Sequence, residues 1–134
     1  MKNILLPTDF SENSWNAIKY AIQFFEDIEC NFYLLHVNRL NNLVANDTPL
    51  ILNGDALEQI YIKPTKQKLR TILKRISSLS ARIKKHKYYT LSDYRFFIES
   101  IRKNVDEKHI DYIVMGTKGA SGIEKIILGT NTAD

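Results

Sequence analysis

A chain of 134 residues is the size of one domain, and 44% hydrophobic with 25% charged residues is an ordinary globular composition that excludes a disordered chain. Apolar runs such as Ile4-Leu5-Leu6 are far too short to span a bilayer, and the single cysteine, Cys30, excludes both an internal disulfide and a CxxC metal site. The net charge of +4 belongs to one segment: residues 59–92 carry ten Lys and Arg and no acid, while the rest carries nine basic and fifteen acidic residues. Such a block marks either a solvated helix face, which is the favoured reading, or a contact with nucleic acid or membrane. The composition as a whole points to a small cytoplasmic domain.

Lys2 to Leu6 reads as a buried strand ended by Pro7. Asp9 or Ser11 can then cap a helix over about 12–26, whose apolar face is Trp15, Ile18, Ile22 and Phe25. Phe32 to Val37 is apolar throughout and reads as a second strand buried on both faces. Residues 39–62 mix breakers with short apolar runs and read as a long irregular connection. Pro64 suits the first turn of a helix that runs to about Lys84, with Leu69, Ile72, Leu73, Ile76, Leu79 and Ile83 as its stripe. Tyr88 to Leu91 is a short strand. Ser92-Asp93 can start the next helix, with Phe97, Ile101 and Val105 inward. His109 to Met115 reads as the clearest strand, its Ile110, Tyr112, Ile113 and Val114 ending directly at Gly116. Strands alternating with helices in this way predict βαβ units and a parallel sheet in a Rossmann-like α/β domain.

Open α/β sheets bind ligands at the carboxyl ends of their strands, where strand order reverses. Three segments end there with unusual chemistry: Pro7-Thr8-Asp9, His36-Val37, and Met115-Gly116-Thr117-Lys118-Gly119-Ala120-Ser121-Gly122. Successive bare N–H groups in a glycine loop can form an anion-binding concavity, and Gly129-Thr130 reads as the opening of another helix whose N–H groups can hold phosphate. Neither GxGxxG nor GxxxxGK[ST] occurs in the chain. Taken alone, each feature also has a structural reading: Asp9 as a cap, Val37 and Met115 as core, the glycines as turns, and His36 as a histidine without ligand partners.

The pattern Gly116-x2-Gly119-x9-Gly129-Thr130 resembles the nucleotide-binding signature of the universal stress protein family. Ile4-Leu5-Leu6-Pro7-Thr8-Asp9-Phe10-Ser11 resembles that family's first strand and loop, Leu34-Leu35-His36-Val37 its second strand end, and Val114-Met115-Gly116-Thr117-Lys118-Gly119 its fourth. The likeness runs from residue 2 to residue 133. It implies a sheet in the order 3-2-1-4-5, dimers, and service in stress resistance. Members that keep the glycine signature bind ATP, and this sequence keeps it. By that resemblance Asp9 would contact the ribose or a phosphate-bound metal, with Pro7 and Thr8 lining the site. Val37 would cover the adenine with backbone and side chain, and Met115 and Gly116 would sit by the ribose. Gly119 would wrap the phosphates, with Gly129, Thr130 and Asn131 donating hydrogen bonds to them. Mg or Mn would enter through the phosphates.

The family continues from Gly129-Thr130 through a helix into a fifth strand, whereas this sequence ends at Asp134. The expectation is therefore a three-layer α/β/α domain over residues 1–134 with strand order 3-2-1-4, the fifth strand absent. It would be C-terminally incomplete, either cut short or the first half of a tandem protein. No catalytic triad or metal cluster is legible, so the expected role is regulatory binding of ATP or a related adenine nucleotide, with slow ATP hydrolysis at most. The expected partner is a second copy or a second tandem domain, with no membrane contact. The alternative is a nucleotide-independent dimerising module. Nucleic-acid binding through the basic helix 64–87 ranks last, because its aromatic residues, Tyr88 and Tyr89, lie at one end only.

Overall fold

The computed structural model describes residues 1–38, 62–93, 97–116 and 124–128. In chain order the elements are β1 (Lys2–Pro7), α1 (Glu12–Phe24), β2 (Cys30–Val37), α2 (Lys63–Ser80), β3 (His86–Asp93), α3 (Phe97–Glu107), β4 (Tyr112–Gly116) and β5 (Glu124–Leu128). The strands form one sheet in the order β3-β2-β1-β4-β5. β1 runs parallel to both β2 and β4, and β2 parallel to β3, which gives the expected order 3-2-1-4.

Side-chain alternation along the strands splits the core into two layers. Ile4, Leu6, Phe32, Leu34 and Val114 face Trp15, Ile18 and Ile22 of α1 and Leu69, Ile72 and Ile76 of α2. Leu5, Leu35 and Ile113 face the other way, where Val105 of α3 and Ile110 close over them. The three layers are therefore α1 and α2, the sheet, and α3. Leu79, read as part of the α2 stripe, is 51% exposed, because in the last turn the buried Ser80 takes the inward position beside Tyr88 of β3.

One expectation is corrected and one strand is added. Ser92 and Asp93 do not start a helix; they extend β3, paired with His36 and Val37. The Asp93 carboxylate accepts from Ser100 Oγ of α3 at 2.9 Å. The sheet also carries an edge strand that the sequence reading did not expect: Glu124–Leu128, ahead of Gly129, pairs antiparallel with β4, Tyr112 opposite Leu128 and Gly116 opposite Glu124. The seven residues 117–123 are too few for a parallel crossover, which needs roughly a dozen, so this β-branched run can only return antiparallel.

No helix among the described residues is long and apolar enough to cross a membrane.

Candidate functional site

Chain connections leave β1 in opposite directions, toward β2 and β3 on one side and β4 on the other, so order reverses at the carboxyl end of β1. The structure brings six of the ten expected site residues to this end: Pro7, Thr8 and Asp9 from β1 and its loop, Val37 from β2, and Met115 and Gly116 from β4. Gly119, Gly129, Thr130 and Asn131 lie outside the described residues.

Pro7 pairs with Leu35, so Pro7, Leu35 and Val37 share one face of the sheet. Met115 lies two residues beyond Ile113 on that same face, and both Val37 and Met115 are half-buried against the Leu5–Leu35–Ile113 cluster. Their core role and their place at the sheet end coexist: each packs on one flank and is open on the other. A Cβ on Gly116 would lie 3.0 Å from the Asn13 carbonyl oxygen and 3.1 Å from Asn13 Oδ1, so the missing side chain lets β4 approach the first turn of α1.

The loop after β1 is built from small polar side chains. Ser11, not Asp9, is the N-cap of α1, its hydroxyl accepting from the Ser14 N–H at 3.2 Å. Asp9 stands outside the helix, its Oδ1 accepting from the Ser11 N–H at 3.0 Å and from the Ser11 hydroxyl. Partial burial works to raise the Asp9 pKa, but hydrogen bonds from Ser11, Ser14 and its own amide outweigh it and hold the carboxylate below its ordinary value. Asp9 is therefore an exposed, ionised carboxylate facing the sheet end. No cluster of three or more His, Cys, Asp or Glu exists among the described residues.

Phe10 adopts φ 66°, a left-handed conformation that is uncommon outside glycine. Its ring lies 4.5 Å from the His36 ring, with the Lys68 ammonium of α2 5.4 Å from its centroid on the aromatic face. His36 Nδ1 is 2.9 Å from the Thr8 carbonyl, which fixes Nδ1 as the protonated nitrogen. Burial lowers the His36 pKa and Lys68 adds to this, against the Thr8 carbonyl and Asp9, leaving the ring neutral.

Beyond Val37 the chain is held on the β3 side. The Asn38 N–H donates to the Asp93 carbonyl at 2.7 Å, its side chain donates to Ser92 Oγ at 3.1 Å, and Thr65 Oγ1 donates to Asn38 Oδ1 at 3.0 Å. Asn38, Thr65 and Phe10 were not legible as site-shaping residues in the sequence. A positive φ and the buried polar pair Asn38–Thr65 have no signature in a single sequence, although an Asn directly after an apolar strand is a signal for a chain that must be anchored.

Two proteins of Methanocaldococcus jannaschii are similar to this chain. Universal stress protein MJ0531 is 25% identical over 134 residues, covering 96% of this chain and 72% of its own length. Universal stress protein MJ0577 is 26% identical over 144 residues, covering 98% of this chain and 85% of its own length. The solved structure of MJ0577 superposes with a TM-score of 0.62 over 98% of this chain and 85% of that one. A universal stress protein solved in complex with cAMP shares the fold, with a TM-score of 0.61 and 16% identity over 90% of this chain and 76% of that one. The model of the universal stress protein family matches residues 1–134, spanning every strand end that forms the site, and the chain belongs to that family.

Proposed function

We propose that this domain binds an adenine nucleotide, ATP in the first place, at the carboxyl ends of β1, β2 and β4, and acts in the stress response as a regulatory binder in the cytoplasm rather than as a catalyst. The observation that carries this reading is the unequal length of two ladders. Pairing of β2 with β1 ends at Leu35 opposite Pro7, whereas pairing with β3 runs on to Val37 opposite Asp93. The β1-facing backbone edge of Val37 thus extends past its strand neighbour, beside the apolar flanks of Pro7 and Met115. A purine fits such a place: a flat apolar body with a polar edge. The cAMP complex of another protein with this fold supports an adenine nucleotide as the ligand class.

In this reading Asp9 stands at the ribose side, Pro7 and Thr8 form the wall of the site, and Met115 and Gly116 flank the ribose. Gly119, Gly129, Thr130 and Asn131 offer backbone and side-chain donors to the phosphates. Mg or Mn, carried by those phosphates, would neutralise their charge, with Asp9 the one carboxylate of the β1 loop within this group. A homodimer, or pairing with a second domain of the same kind, would complete the functional unit.

Calorimetry with ATP and Mg²⁺, and separately with adenosine, tests this. We expect ATP binding, and a Gly119→Val variant that loses at least tenfold in ATP affinity while adenosine affinity holds. Equal loss for both ligands would move Gly119 out of the phosphate site. No binding by the wild-type chain would overturn the reading in favour of a nucleotide-independent interaction module.

A further inference from the structure

A parallel ladder has a fixed continuation. The Thr8 N–H donates to the Leu35 carbonyl at 2.8 Å, so Leu35 presents its backbone to β1 and, by alternation, Val37 does so next. Had the ladder continued, the Val37 N–H would have donated to the Thr8 carbonyl and the Val37 carbonyl would have accepted from the Phe10 N–H. Both of those atoms bond to side chains instead. The Thr8 carbonyl accepts from His36 Nδ1 at 2.9 Å, and the Phe10 N–H donates to Thr8 Oγ1 at 3.1 Å. The Thr8 hydroxyl is itself buried and held by Ser14 Oγ at 3.0 Å. The Phe10 backbone turns away at φ 66°, its ring packed on the imidazole that makes the first of these bonds.

We infer that Thr8 and His36 are positioning residues that stop the β1–β2 ladder one step early, so that the Val37 N–H and C=O are held as a donor–acceptor pair for the edge of an adenine base. The base specificity rests on the nucleotide reading above; the stopped ladder does not. Adenine offers a complementary edge, with N1 accepting and the N6 amino group donating. Hypoxanthine inverts that pattern, because O6 accepts and N1–H donates. A group built to pair with one edge leaves polar atoms unpaired against the other, which costs affinity. Thr8 thereby acts through its backbone carbonyl and hydroxyl on the loop rather than on the ligand, and His36 is more than a satisfied core histidine.

Two measurements separate the parts. Without ligand, the Val37 amide should exchange its hydrogen rapidly in the wild-type chain. It should slow at least tenfold in His36→Phe or Thr8→Val, where a freed carbonyl or amide lets the ladder close; a protected Val37 amide in the wild type would overturn the inference outright. With ligand, wild-type protein should prefer ATP to ITP at least tenfold. His36→Phe and Thr8→Val should bring that ratio toward one, while His36→Gln and Thr8→Ser, which keep the donor or the hydroxyl, retain it. An unchanged ratio in a folded His36→Phe would refute the base-edge role, as would loss of the ratio in His36→Gln and His36→Phe alike. Rapid Val37 exchange with no binding of either nucleotide would keep the stopped ladder and remove the adenine assignment.

Discussion

A Cβ at position 116 would sit 3.0 Å from a backbone oxygen of Asn13, whereas His109 occupies φ 52° with a full side chain in place. The two positions call for opposite substitutions. Gly116→Ala forces the first turn of α1 away from β4, an overpacking that should cost about 1–3 kcal/mol in a denaturant titration. His109 ends α3 with its N–H on the Asp106 carbonyl at 3.4 Å and the Ile110 N–H on the Val105 carbonyl at 3.0 Å, a helix terminus that ordinarily carries glycine. His109→Gly removes the left-handed penalty at a smaller entropic loss and should stabilise the domain by about 0.5 kcal/mol, read in the same titration. His36 adds a pH term. Burial first, and then Lys68, hold its pKa below the ordinary 6.5. The unfolded chain then takes up the proton more readily than the folded one, so the His36 contribution is whole above pH 6.5 and is lost as pH falls through the lower folded value. Asp9 acts in a separate window, present above the ordinary 3.8 and lost as pH falls through its own lower value. Thermal melts from pH 7.5 to 5 should show a decline in the wild type that is shallower in His36→Gln. Identical profiles would remove His36 from the acid sensitivity.

At the scale of elements, the strands and helices were legible wherever one periodicity ruled a segment. Trp15, Ile18, Ile22 and Phe25 form a single face of α1 with at most 7% exposure, and the apolar run of β2 is buried as expected of a central strand. Legibility failed where a local rule met a tertiary one. Ser92-Asp93 looks like a helix start, yet pairing with His36 and Val37 claims both for β3, and the polar Asp93 is satisfied through Ser100 instead. The stretch 124–128 carries no turn-strand-turn signature strong enough to stand alone; it becomes a strand because β4 offers an edge. Of the site, the strand ends were readable from Pro7, Val37 and Gly116, while the device that shapes them was not, since hydrogen bonds from His36 and Thr8 depend on which strands are neighbours. β5 can be tested directly. Proline is excluded from paired strand interiors, so Ile126→Pro should unpair the edge. Hydrogen exchange should then accelerate at the β4 amides that face β5, with β1 and β2 unchanged; protection that survives at Tyr112 to Gly116 would show that β5 contributes no pairing.

Across the whole molecule, seven of the ten basic residues in 59–92 fall into two sets. Lys68, Arg75 and Arg82 recur every seventh residue along the seam with α1. Lys68 covers Phe10, the Arg75 guanidinium stacks 4.1 Å from the Trp15 ring and pairs with Glu12 at 3.9 Å, and Arg82 pairs with Glu26 at 3.9 Å. Lys63, Lys66, Arg70 and Lys74 follow the outer face of α2 at spacings of three and four, all exposed and with no ion pair to a described residue. This row bears no aromatic platform and opposes itself, since like charges three or four apart repel on a helix. Charge is thus unevenly spread: α2 carries no acid, and every acid of the chain lies outside residues 59–92. If the row is a solvated face, its repulsion is an unrelieved cost that one charge reversal removes. Arg70→Glu replaces two like-charge neighbours, Lys66 and Lys74, with two opposite pairs, each worth about 0.2–0.5 kcal/mol, so the domain should gain about 1 kcal/mol and melt about 4 °C higher at low salt. Screening at 1 M salt, where the Debye length is about 3 Å, should erase most of that gain. A gain that persists at high salt would mean the effect is helix propensity rather than charge. A loss of stability would mean that Arg70 makes a contact the charge map does not contain.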